Sequence, residues 1–158
     1  MSRTFAFELS SELDAPPTTV WAHATSLRGV NREFFPFFRM TGPNEAAGAD
    51  LATAPLGERL FRSWILLFGI LPVEYDDLTI VELEPGRRFL ERSPMLTQRV
   101  WTHERAVELR AEGGCVLTDR ISFEPRLPAL GPMQHAIFRL VFTYRHRRLV
   151  GVFGGRTR

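Results

Sequence analysis

"GPMQHAIFRLVFTYRHRRLVGVFGG", residues 131–155, decides the fold. Pro132 suits a first helical turn and Gly154 an end. Phe138, Val141, Phe142, Leu149, Val152 and Phe153 make a broad apolar face, so the stretch predicts one long helix. The residues before it follow another rhythm. "YDDLTIVELEP" (75–85), "RRFLERSPM" (87–95), "QRVWTHERAVEL" (98–109) and "CVLTDRISFEP" (115–125) read as strands separated by short turn signals, of which "EPGR" and "AEGG" are the clearest. A run of antiparallel strands closed by a long helix predicts an α+β architecture, with the helix lying on one face of a curved sheet.

The first half fits that frame. "FAFELSSEL" (5–13) turns Phe5, Phe7, Leu9 and Leu13 to one side and predicts a first strand. "DAPPTTVWAHATSL" (14–27) predicts a turn and a helix with Val20, Trp21 and Ala24 as its buried stripe. "RGVNREFFPFFRM" (28–40) predicts a second short helix broken at Pro36. Gly, Pro, Ala and Asn make 41–57 a loop. "ERLFRSWILLFG" (58–69) has apolar residues at 60, 61, 64, 65 and 68, the spacing of a helical face, although a buried strand could use the same run. A short helix is the reading adopted.

The chain has 158 residues, 44% hydrophobic and 24% charged, which suits one domain with a real core. Its 13 Phe and 3 Trp favour a roomy interior. All 20 basic residues are arginine, yet the net charge is only +2. The one dense basic cluster, "RHRR" at 145–148, reads as a solvated last helical turn, so no nucleic-acid partner is expected. A single cysteine, Cys115, excludes an internal disulfide and argues for a reducing compartment; its place after "EGG" suits a hairpin. The N-terminus alternates where a signal peptide would carry an apolar block. The longest apolar run, 63–73, is too short to span a bilayer and contains Gly69 and Pro72. A cytoplasmic location without stable membrane insertion is therefore expected. No HExxH, paired CxxC, GxSxG or P-loop occurs. His135 and His146 are spaced too widely for a metal pair, and Asp76-Asp77 reads as a turn. Neither a cofactor nor a metal is expected.

The order of elements resembles the helix-grip fold of the START, Bet v 1 and polyketide-cyclase (SRPBCC) superfamily. "ELDAPPTTVWAHATSLRGVNRE" is similar to its opening strand and V-W helix, and "VELEPGRRFLERS" to its central hairpin. "PMQHAIFRLVFTYRHRRL" stands where the gripping helix belongs. "SWILLFGILPVEYDDLTI" is less typical. The likeness covers nearly all of 1–155. It implies a deep, largely apolar cavity between sheet and terminal helix. Members of the superfamily bind lipids, sterols, plant hormones or polyketides, and some cyclise or dehydrate aromatic polyketides; fold alone does not choose among these.

Candidate site residues come from the inner face. In 100–109, Trp101, His103, Arg105, Val107 and Leu109 share the more apolar side. A three-residue loop, Glu112-Gly113-Gly114, would pair Leu109 with Leu117, Val107 with Asp119, Arg105 with Ile121 and His103 with Phe123. Asp119 is then diagonal to Arg105. Phe89, Glu91, Ser93 and Met95 share a face of the preceding strand. Glu91, His103, Arg105 and Asp119 are thus expected to form a polar cluster in an aromatic cup, for which Phe89, Trp101, Phe123, Trp64 and Tyr144 are candidates. Three readings of the cluster stand side by side: a self-satisfied buried network, a set of groups that orients a ligand, or an acid/base site at His103 with Arg105 stabilising an enolate. His23 is expected on an exposed helix face, and Asn31, Glu33 and Arg39 as caps or braces of the helical pair. The leading functional expectation is binding of a hydrophobic small molecule, with a carboxylate or carbonyl near Arg105 and His103. The alternatives are a polyketide cyclase or dehydratase, and a non-catalytic interaction module with a filled cavity.

Overall fold

The computed structural model describes residues 2–43 and 53–158. Strand β1 (Phe5–Leu13) leads into helix α1 (Pro17–Ala24), which opens on proline and buries Val20, Trp21 and Ala24. Helix α2 (Leu27–Phe34) is capped by Ser26, whose Oγ accepts from the Gly29 N–H at 3.0 Å. It ends two residues before Pro36, because the residue preceding a proline is disfavoured in helical geometry. The expected continuation of this helix to residue 40 is instead a strand, β2 (Phe38–Met40). Asn31 ties it to α2, donating to the Met40 carbonyl at 3.0 Å and accepting the Met40 N–H at 2.7 Å. Of the loop expected over 41–57, residues 44–52 lie outside the described residues.

The short helix expected over 58–69 is a strand, β3 (Arg59–Leu67). It folds back through a tight turn in which Phe68 and Gly69 take positive φ values of 52° and 76°, so that Leu67 pairs with Leu71. Both faces of β3 carry apolar residues, and the pairing shifts between Arg59 and Phe61. Together these spoil the two-residue period and mimic a helical one. Strands β4 (Leu71–Glu84), β5 (Arg88–Ser93), β6 (Gln98–Leu109) and β7 (Cys115–Pro125) follow. A short 3-10 turn, Pro128–Leu130, then starts helix α3 (Gly131–Phe153), which Gly154 ends at φ 73°. A last strand, β8 (Gly155–Thr157), returns to β1.

One antiparallel sheet results, in the order β2-β3-β4-β5-β6-β7-β1-β8. Helix α3 packs on β1 and α2 across its concave side. Two apolar clusters anchor it: Leu149 meets Leu13, Val20, Trp21 and Leu117 at one end, and Phe142 meets Phe7, Trp101 and Phe123 at the other. The architecture is the α+β arrangement expected.

The β6–β7 register differs from the expected one by a single step in the loop. Ala111-Glu112-Gly113 forms it, and the Arg110 N–H reaches the Gly114 carbonyl at 3.2 Å. Leu109 therefore pairs with Cys115, Val107 with Leu117, Arg105 with Asp119 and His103 with Ile121. Parity is preserved, so each residue keeps its predicted face. The reason lies at Gly114, whose φ is 73° and whose absent Cβ would sit 2.2 Å from the Leu13 carbonyl oxygen. Gly114 closes the loop at the start of β7, pressed against the end of β1. Gly114→Ala should cost about 1–3 kcal/mol, from strained backbone and from the displaced β1 end. Urea unfolding checks this; a loss no larger than that of Gly57→Ala, which also has positive φ but open space around it, would count against the close approach.

Candidate functional site

The register puts Arg105 directly across from Asp119, both fully buried. Arg105 Nε donates to Asp119 Oδ1 at 2.7 Å and Nη2 to Oδ2 at 2.8 Å. His103 Nε2 lies 2.8 Å from Oδ1, and His146 Nε2 lies 2.9 Å from Oδ2. Burial opposes ionisation of Asp119, but the Arg105 charge and these bonds prevail and hold its carboxyl well below the usual range. An ionised carboxylate only accepts, so both histidines present N–H at Nε2. The far ring nitrogen of His146 meets Ser11 Oγ at 2.7 Å.

The other edge of Arg105 meets Glu33 of α2. Nη1 donates to Oε2 at 3.0 Å and Nη2 to Oε1 at 2.9 Å. Arg145 of α3 adds its Nε to Oε1 at 3.2 Å, and His23 Nε2 lies 3.3 Å from Oε2. The Arg145 guanidinium is held between the Phe34 and Phe142 rings, 4.6 and 4.7 Å from their centroids. Burial again works against the Glu33 charge, and Arg105 and Arg145 overcome it, keeping the carboxyl ionised. Two guanidinium charges thus face two carboxylates in a closed, neutral set.

Three expectations are corrected by this network. The "RHRR" cluster is not a solvated turn: Arg145 and His146 are only 4% and 2% exposed, because α3 crosses the sheet above Asp119 and Glu33. His23 is turned inward against Glu33, with its ring 5.1 Å from Phe153. Glu33 is a central acceptor rather than a cap. The available signal was the cost of Arg105 itself: a buried guanidinium offers five N–H groups, and Asp119 alone cannot accept them all.

A cavity of about 770 Å³ lies between the sheet and α3. Its wall is mostly apolar, with Phe89, Trp101 and Ile65 on the sheet side and Phe138 and Phe142 on the helix side. Its ionisable groups come from β4, β5, β6 and α3. Glu74 and Asp76 alternate inward from β4, so Asp76 is a buried strand residue rather than part of the expected turn; Asp77 points out to Arg62 at 2.8 Å. Glu91 of β5 hydrogen-bonds Asp76 and accepts from Ser93 Oγ at 2.9 Å. Two carboxyls bond each other only when one is protonated. Burial, and then the neighbouring Asp76 charge, push Glu91 well above the carboxylate range; burial pushes Asp76 up to about 6. Glu74 is bound by the Thr97 hydroxyl and by the N–H groups of Tyr75 and Thr97. Among the described residues, the Asp76 Oδ1 and Gln134 Oε1 acceptors are buried without a partner. His103 spans the two polar groups, with Nδ1 3.6 Å from Glu91 Oε2. Burial pushes its imidazole down, against the pull of Asp119, so the ring is neutral at pH 7.

The structure brings Phe89, Glu91, Trp101, His103 and Arg105 to the cavity wall. Asp119 lies behind them, and Phe123 stacks behind Trp101 with ring centroids 6.2 Å apart. Trp64 and Tyr144 are elsewhere. Trp64 is 38% exposed and leans edge-on against Tyr75. The Tyr144 hydroxyl donates to the Phe35 carbonyl at 2.5 Å and its ring meets Phe37, pinning α3 to the α2–β2 connection. Among the described residues no His/Cys/Asp/Glu group is arranged to hold a metal ion, and no helix is long and apolar enough to cross a membrane.

Residues 11–153 match the profile of a family described as a domain of unknown function, DUF8410. The chain belongs to the DUF8410 family. No curated protein sequence matches it. Among solved structures, this DUF8410 chain is similar to the protein CV1439 from Chromobacterium violaceum, with 17% identity, 94% of this chain and 97% of that one covered, and a TM-score of 0.69. It is similar to a START superfamily protein from Mycobacterium smegmatis, with 9% identity, coverages of 95% and 96%, and a TM-score of 0.63. It is also similar to the Zhui aromatase/cyclase from Streptomyces sp. R1128, with 14% identity, coverages of 94% and 93%, and a TM-score of 0.61. The DUF8410 chain thus has the START/Bet v 1-like helix-grip fold. At its site, Arg105 spends four N–H bonds on Asp119 and Glu33. This leaves it little capacity for a ligand carboxylate, whereas the Asp76–Glu91 pair faces the cavity.

Proposed function

We propose that the chain is a single ligand-binding domain that holds a hydrophobic small molecule in the cavity between its sheet and α3. The observation that carries this reading is the cavity itself: about 770 Å³, walled mostly by aromatic and aliphatic side chains with polar groups set among them. That is the usual make-up of a small-molecule site, and its volume counts against an interaction module with a filled interior. Arg105 is at the wall but is bound to Asp119 and Glu33, so the residue's part is to fix α2, α3 and the sheet around the ligand.

A neutral apolar dye, N-phenyl-1-naphthylamine, should bind with a rise in emission. Val141→Trp, which places an indole in the cavity from α3, should weaken that binding about tenfold or more, since displaced contact area is lost directly. Native mass spectrometry of the purified protein should show a co-purified apolar ligand. A dye that stays dark in the wild type, with no ligand mass, removes the reading.

An enzymatic role, as a polyketide cyclase or dehydratase with His103 as acid or base, is the second reading. What favours it is the contact of the neutral His103 with the protonated Glu91 at the cavity wall. What weighs against it is that both ring nitrogens already face carboxyl groups of the protein. His103→Gln should leave dye binding within about twofold of wild type; loss of turnover on an aromatic polyketide with dye binding retained would select the enzyme.

A further inference from the structure

We propose that the cavity selects a ligand bearing a protonated amine, which the Asp76–Glu91 carboxyl pair and Gln134 receive at the polar end. This deepens the binding reading and rests on it. The charges argue for a cation. Around Asp119 and Glu33 every negative charge has an arginine: Arg105 bonds both, and Arg145 bonds Glu33. Asp76 and Glu91 have no such bond: Arg145, engaged with Glu33, acts on Glu91 only at longer range. Among the described residues no arginine lies within ion-pair distance of either, and their one basic neighbour is His103, 3.6 Å from Glu91.

The pair shares a proton, so it carries about one negative charge inside a largely apolar wall. A buried charge without a partner is costly, and burial of a matching cation relieves it. The hydrogen-bond inventory agrees. Asp76 is 4% exposed and its Oδ1 has no donor. Gln134, on α3, is 8% exposed and its Oε1 has no donor either. Both residues line the same cavity, one from the sheet and one from the helix. An ammonium brings three N–H donors and no acceptor, which matches orphaned acceptors on two walls. A carboxylate ligand would bring only more acceptors and a like charge. Most of the rest of the wall is apolar, and the two arginines that also line it, Arg105 and Arg145, are held by Asp119 and Glu33, so the class is a lipophilic amine.

Displacement of N-phenyl-1-naphthylamine by 1-aminodecane, 1-decanol and decanoate at pH 7.5 tests this. The three share one chain and differ in the head group. The amine should bind about tenfold or more tighter than the alcohol, as a charge-assisted hydrogen bond implies, and decanoate should be weakest. Asp76→Asn/Glu91→Gln should bring amine and alcohol within about threefold of each other while dye binding persists. The amine preference should also grow as pH rises from 5 to 7.5, as Asp76 loses its proton near 6. Over this range the alkylammonium stays charged. The groups that face the pair are Glu74 on β4, Ser93 on β5, His103 on β6 and Arg145 on α3, and Asp77, turned outward to Arg62, adds its charge from the other side of β4. Equal affinity for amine and alcohol, or tighter decanoate, overturns the amine and leaves the cavity reading standing. No dye binding and no displacement by any of the three overturns both.

Discussion

Arg105→Met should lower folding stability by about 3–5 kcal/mol, read as a shift of the urea midpoint with an unchanged slope. Among the described residues, Arg105 is the group that joins β6, β7 and α2 through ionic bonds. Without it Asp119 keeps only histidine donors, and Glu33 keeps Arg145 and His23. Two buried carboxylates then share one arginine, and an uncompensated buried charge is what makes such losses large. Arg88 supplies the control. It bonds three carboxylates, those of Glu82, Glu84 and Glu104, against two for Arg105, but on the outer face, where Glu82 and Glu84 are open to water. Arg88→Met should cost within about 1 kcal/mol, as solvent-exposed pairs do. If the two substitutions cost the same, the Arg105 network has no special structural weight. A further check is non-additivity: Arg105→Met combined with Glu33→Leu should cost less than the two separately, because each single change strands the other's charge.

The inner-face polar residues were legible in the sequence because alternation is a strong constraint. In 100–109 the period of two places Trp101, His103 and Arg105 together whatever the register, so a one-residue error in loop placement left their face intact. The loop itself was misread because Gly113 and Gly114 look alike in sequence. Only the approach of the Leu13 carbonyl, from a distant strand, puts Gly114 at the close of the loop. The same limit hid Glu33, Arg145 and His146. Each sits on a helix whose charged residues, read alone, belong in water; the tertiary crossing of α3 over β6 and β7 turns them inward. The reading of β3 failed for a local reason: apolar residues on both faces erase the alternation that identifies a strand. Asp76 was taken for a turn residue because two adjacent aspartates suggest one. Yet β4 runs through them, and sends Asp76 to the cavity and Asp77 to Arg62. The hollow wall was legible as aromatic content, whereas its acidic end was legible only once β3 and β4 were paired.

Asp76→Asn/Glu91→Gln should make the protein about 1–3 kcal/mol more stable at pH 7.5 and leave it nearly unchanged at pH 4. The sign follows from the proton balance. Asp76 titrates near 6 in the folded chain, against about 4 when unfolded, and Glu91 is raised further still. Between those values the native state holds more protons than the unfolded one, so stability falls as pH rises through the window. Above it the buried negative charge remains as a standing cost, which the amide pair removes while keeping similar size and donors. Asp119 and Glu33 act in the opposite direction. Their depressed carboxyls stabilise the fold above about pH 4 and lose that contribution as pH falls further. Wild type should therefore be most stable near pH 4–5, an acidic optimum for a chain whose sequence pI is about 9.3, whereas the double variant should hold its stability up to neutral pH. Urea midpoints at pH 4.0, 5.5 and 7.5 separate the cases. A variant that is less stable than wild type at pH 7.5 means that the pair is compensated within the protein. The cavity wall would then have no need of a ligand's charge. A gain confirms that two carboxyls are kept next to each other at a cost to folding, which is the pattern expected of residues retained for what they bind.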